Sequence, residues 1–122
     1  MRNDEYEIRQ LPLSVRFVRH QVETFLQHNG LRLDSMDYYA AVFEHGSDEI
    51  LAGGGLCGNV MKCIAVKQGL RDAKLSLTII SHLISTAFSF GIHDDDSVLV
   101  STVLTHLPQF LFVVNQRMIV FL

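Results

Sequence analysis

Gly53, Gly55 and Gly58 stand in the order G-x-G-x-x-G within AGGGLCGNVMKCIAV, residues 52–66. In dinucleotide-binding proteins that spacing follows a strand and opens a helix, so that helix amides meet a pyrophosphate. Here the residues that follow, Asn59 to Val66, are branched and apolar, which is a strand sequence. The acid that would hold a ribose belongs about twenty residues further on, where this chain has only a helical pattern. A phosphate loop is excluded too, because Asn59 and Val60 occupy the positions that need Lys and then Ser or Thr. Glycines inside a strand instead mark a bulge, or a place where another backbone or a ligand comes close.

The remaining reactive side chains are scattered. Cys57 and Cys63 flank a tight turn at Gly58-Asn59, so Cys57 pairs with Val60 while Cys63 faces Gly54. A rise of about 3.4 Å per strand residue then separates the two sulfurs too far for a disulfide. Cys63 has no histidine at a partner position and reads as a small buried hydrophobe rather than a nucleophile. Asp94, Asp95 and Asp96 are adjacent, and three consecutive acids converge on a cation only if a loop wraps them. Glu44, at the end of a strand, has the chemistry of a general base but reads as a strand-edge residue. The six histidines lie far apart and no pair has metal-ligand spacing, so no metal is expected.

The elements that must position these groups follow from periodicity. Residues from Glu5 to Leu11 alternate around Tyr6 and Ile8 as an edge strand. Pro12 and Ser14 then start a helix with Ser14 as N-cap, and Val15, Val18, Val22, Phe25 and Leu26 form its core-facing stripe. Gly30 ends it. Asp37 to Glu44 is a strand, His45 to Asp48 a turn, and Glu49 to Leu56 the antiparallel return. Gly58-Asn59, with glycine first, suits a type II′ turn into a third strand, Val60 to Val66. From Leu70 to Phe90 the period becomes helical, with Leu75, Ile79, Leu83, Ala87 and Phe90 on one face and Gly91 closing it. The order strand, helix, three strands, helix predicts an α+β fold.

Composition sets outer bounds. The chain has 122 residues, 48% hydrophobic and 19% charged, which is one globular domain's worth. A formal charge of -3 argues against nucleic acid as a partner, since phosphate binding needs clustered Lys and Arg. Two cysteines without a signal peptide point to a reducing, cytoplasmic setting. Residues from Ser97 to Gln116 carry no Asp, Glu, Lys or Arg, yet Pro108, Gln109 and His106 make them a poor membrane span.

A glycine-bearing strand, a tight turn, an apolar strand and a loop into a long helix resemble an acyltransferase of the GNAT type, which uses acetyl-CoA. That resemblance implies a mixed sheet flanked by helices. It also implies that the strand before the loop lends backbone groups to the pantetheine arm. The loop and helix N-terminus would hold the pyrophosphate through amide donors. The matching positions are Cys63, Ile64, Ala65 and Val66, then Arg71, Asp72, Ala73, Lys74, Leu75 and Ser76.

Residues 25–31, 52–66 and 75–84 narrow the likeness: over about residues 15 to 92 the chain is similar to the N-terminal, GNAT-like region of citrate lyase ligase. In that family ATP-dependent ligation belongs to a following domain with an H-x-G-H signature, which these residues do not contain. The chain departs from the family loop, which resembles R-G-E-G-L-A, by placing Asp72 and Lys74 where glycines let a backbone approach phosphate. Coenzyme A binding is therefore expected to be weak or absent, with Arg71 the surviving phosphate contact. Beyond the 1–92 domain, residues 93–122 form a divergent apolar tail. One back-translation of residues 114–122, shifted by two bases, encodes Gln-Pro-Lys-Asn-Asp-Cys-Leu-Phe, close to the family segment missing there. The expectation is a reading-frame slip near residues 93 to 105 and a premature stop, leaving the fold altered at its C-terminal side. The resemblance implies an acyltransferase-like module without the ligase domain. The alternatives are a non-catalytic module docking onto citrate lyase or its ligase, and a free-standing small N-acetyltransferase.

Overall fold

A computed structural model describes residues 6–58, 60–70, 73–89, 98–100, 112–114 and 117–121. In chain order the elements are β1 (Tyr6–Gln10), α1 (Arg16–His28), β2 (Tyr38–Glu44), β3 (Ile50–Cys57) and β4 (Val60–Val66). Then follow α2 (Ala73–Ser89), β5 (Val98–Val100), β6 (Phe112–Val114) and β7 (Arg117–Phe121). All strands join one sheet in the order β1-β2-β3-β4-β5-β7-β6. The first four form an antiparallel meander. β4 and β5 run parallel, which requires a crossover, and α2 supplies it.

α1 and α2 cover opposite faces. On one face Val22, Phe25 and Leu26 of α1 pack with Tyr39, Ala41 and Phe43 of β2 and with Cys63 and Ala65 of β4. On the other, Leu75, Ile79, Ile80, Leu83 and Ile84 of α2 pack on Ala40, Val42, Ile64 and Val66. Covered on both sides, β2 and β3 are apolar at successive positions rather than alternating.

α1 ends as expected at Gly30, in full Schellman form: Gly30 N–H donates to Gln27 O at 3.1 Å and Leu31 N–H to Leu26 O at 2.9 Å. Its start differs. The N-cap is Val15, with no side-chain cap hydrogen bond, so Ser14 lies one residue too early to serve. Val15 is 47% exposed and stands outside the apolar cluster, whose α1 members begin at Val22. α2 also starts later than the periodicity predicts. Leu70 N–H donates to Lys67 O at 3.0 Å and Gly69 has φ +91°, so a turn holds Leu70 outside the helix. Phe90, Gly91 and the acidic run 94–96 lie outside the described residues, as does most of the apolar segment from Ser97 to Gln116. The described parts of residues 93–122 are the three strands β5, β6 and β7.

Candidate functional site

The glycines of β3 set the geometry of β4. On one face of β3 a methyl group on Gly53 would land on the Tyr39 hydroxyl, and one on Gly55 on the Met36 sulfur. On the other face a methyl on Gly54 would stand 2.9 Å from Leu83 Cδ1 and 3.1 Å from Ile64 Cγ1. Side chains of the chain itself therefore fill the space the glycines vacate. The expected bulge is present as well. Gly53 pairs with Ala65 and Gly55 with Lys62, so Cys63 and Ile64 together oppose Gly54. Cys63 takes the left-handed conformation, φ +58°, the positive-φ non-glycine among the described residues. Gly58, at φ +60°, opens the two-residue turn between Cys57 and Val60 as glycine-first chemistry requires.

The bulge divides β4 into two halves with different neighbours. Towards β5 it pairs at Val60 and Met61, and at no later residue among those described. Towards β3 it stays paired to Val66, and Lys67 N–H extends the ladder to Leu51 O at 2.7 Å. Cys63, Ile64, Ala65 and Val66 thus form a strand segment held on one side, with buried side chains alternating between the two cores. After the Lys67–Leu70 turn, α2 begins at Ala73, and its first turn holds Lys74, exposed, with Leu75 and Ser76 buried. No acidic residue lies in that first turn. The leading N–H groups of a helix have no partner within it and carry its positive end. Arg71 and Asp72 lie outside the described residues.

Other candidates take structural places. Cys57 and Cys63 are free thiols. Cys63 donates to Arg32 O at 3.4 Å, and burial pushes its thiol above the ordinary 9.0, which removes thiolate character. Glu44 is exposed at the end of β2, opposite Tyr6. His82 is bound by Tyr38, Oη to Nε2 at 2.7 Å. No group of three or more His, Cys, Asp or Glu side chains among the described residues could hold a metal ion. No helix among them is long and apolar enough to cross a membrane. Periodicity alone did not locate the roles of Tyr39, Met36 and Gly54, since each depends on packing between segments distant in sequence.

A probable acetyltransferase of unknown function from meticillin-resistant Staphylococcus aureus superposes with a TM-score of 0.56 at 11% identity, covering 83% of this chain and 80% of that one. The chain shares the fold of that protein, and the expected α+β architecture is present as a mixed sheet with a helix on each face. In sequence, the chain is 35% identical over 68 residues to citrate (pro-3S)-lyase ligase of Haemophilus influenzae, 56% of this chain and 20% of the relative. The ligases of Escherichia coli and Klebsiella pneumoniae are each 30% identical, over 69 and 73 residues, with 19% and 21% of their lengths covered. The chain spans about a fifth of the length of these curated relatives. No protein-family model matches it.

Proposed function

We propose that this chain is the acyltransferase-like N-terminal module of a citrate lyase ligase, with weak binding of acetyl-CoA or coenzyme A. The observation that carries the reading is the bulged β4. Past Met61 it pairs on the β3 side alone among the described residues, and it leads through a tight turn to a helix N-terminus. Such a strand presents backbone groups to the amides of a pantetheine arm, and the helix start suits a pyrophosphate. Cys63 to Val66 hold the arm; Ala73, Lys74, Leu75 and Ser76 meet the phosphates, with Arg71 and Asp72 preceding them in sequence. Asp72, which precedes Ala73 in sequence, brings a negative charge to this segment, and at short range in a half-dry site its repulsion of a phosphate would be about 1 kcal/mol or more, part of which Lys74 offsets. Ligation with ATP is not assigned to these residues, which contain no H-x-G-H. A cytoplasmic setting fits two free cysteines.

Titration with coenzyme A, followed by calorimetry and by backbone amide shifts, tests the reading. Binding is expected to be weak and saturable, with shifts centred on residues 63–66 and 73–76. Arg71→Ala and Lys74→Glu are expected to weaken it at least several-fold, while Arg19→Ala on the opposite helix leaves it unchanged. Absence of saturable shifts, or insensitivity to both variants, overturns the site. A second reading, a docking module for citrate lyase or its ligase, is favoured by Phe17, a large apolar side chain 78% exposed on α1. It predicts no coenzyme binding, together with complex formation that Phe17→Ser abolishes.

A further inference from the structure

Between the C-terminal half of α1 and the facing ends of β3 and β4 lies a cavity of about 380 Å³, large enough for a small molecule. Phe25 and Ile50, both largely buried, supply its apolar wall. Gln21, Thr24, His28, Asn29, Glu49, Lys67 and Gln68 supply its polar lining. The glutamines are oriented by their bonds. Gln21 Nε2 donates to Asp48 O at 2.8 Å, and Gln68 Nε2 donates to His28 O at 2.8 Å. A carbonyl oxygen only accepts, so each amide's nitrogen is fixed on the protein, and each Oε1 is left as an acceptor without a partner among the described residues.

The Glu49 carboxylate adds negative charge, and the carboxyl end of α1 adds the negative end of its dipole. Lys67 is the permanent cation of the lining, and its Nζ is held on Glu49 Oε1 at 2.5 Å. Thr24 Oγ1 and Asn29 Nδ2 likewise donate to His20 O and Phe25 O, so beside the His28 ring and the second N–H of each amide the lining offers mainly acceptors and suits a donor. A carboxylate or phosphate would face Glu49 and two amide oxygens. An ammonium would find an acceptor in each of the three, with its hydrocarbon stem on Phe25 and Ile50.

We propose that this cavity binds a small primary amine through Glu49, Gln21 and Gln68, and that Lys67 is the internal cation such a ligand displaces. The site lies on the α1 face, and its test requires no coenzyme, so it stands or falls apart from the acyl-CoA reading. The probe is n-butylamine, titrated as its ammonium ion into the whole chain and followed by backbone amide shifts. Controls are n-butanol and butyrate at matched ionic strength. Saturable shifts centred on Gln21, Glu49, Ile50 and Gln68 are expected for the amine alone. Lys67→Met, which frees Glu49, should tighten binding by about threefold or more, the scale of an exposed ion pair. Glu49→Gln should abolish saturation. Should that variant lose its dispersed spectrum, Gln21→Met is read instead, with a several-fold loss expected. Shifts that do not saturate, that butanol reproduces, or that survive the acceptor substitutions overturn the proposal.

Discussion

Tyr39 and Gly53 explain each other. The tyrosine hydroxyl occupies the space a β-carbon at position 53 would need, and among the described residues it is the buried side-chain polar atom without a hydrogen-bond partner. Burial pushes its pKa far above the ordinary 10.0, so it is a neutral, desolvated phenol. Leaving such a group unsatisfied costs about 1–3 kcal/mol. Tyr39→Phe is therefore expected to stabilise the protein by about 1 kcal/mol, read as a higher urea midpoint at unchanged slope. A lower midpoint would show that the hydroxyl is bonded through a buried water. Gly53→Ala should cost about 1–3 kcal/mol by overpacking, and part of that should be recovered when Tyr39→Phe is added. The glycine spacing was legible in the sequence and its nucleotide reading could be excluded there. The filling side chains could not be read, because Met36 and Tyr39 reach β3 only once β2 has paired with it.

At the scale of elements, α1 enters its first turn with Val15 at the cap and Arg16 and Arg19 close behind, with no acid to meet the helix's positive end. Val15→Asp supplies a side-chain acceptor and a favourable charge at a position already half exposed. It should stabilise by about 0.5–1.5 kcal/mol, and no change in thermal midpoint would show that the amides are already satisfied. The tie between β2 and α2 carries a pH dependence. His82 packs on Tyr38 with ring centroids 6.0 Å apart, and burial lowers its pKa below the ordinary 6.5. The unfolded chain then holds a proton that the folded chain releases. His82's contribution is full above 6.5, falls as pH drops towards the lower folded value, and is flat beneath it. Between neutrality and about pH 5, urea midpoints of His82→Gln should therefore slope less than those of the parent; equal slopes would assign the titration elsewhere. Element order and most boundaries were legible because each stripe has a clear period. The two starts that moved, at Val15 and Ala73, are places where a turn decides the boundary although the apolar pattern runs through it.

The whole molecule is a sheet read from both faces, and this explains what the sequence could and could not show about the site. The order strand, turn, strand, helix was visible in residues 52–89, so the candidate site could be placed on β4 and α2. The bulge was not visible, because cysteine has no preference for left-handed backbone and the slip in register exists only relative to β3. The parallel step from β4 to β5 likewise depends on α2 covering one face while α1 covers the other. Two cores separated by a sheet share strands but not side chains, since neighbouring residues along β2 and β4 serve opposite faces. Val22 of α1 and Ile79 of α2 are each fully buried and belong to different clusters. Ile79→Val should cost about 0.5–1.5 kcal/mol, and Val22→Ala about two methyl groups' worth, roughly 1–2.5 kcal/mol. With no shared partner, the double variant should lose the sum of the two within about 0.5 kcal/mol in urea unfolding. A coupling energy above about 1 kcal/mol would mean that strain passes through the sheet from one helix to the other. In that case a ligand in the α1-side cavity could not be treated as independent of the proposed acyl-CoA site beside α2.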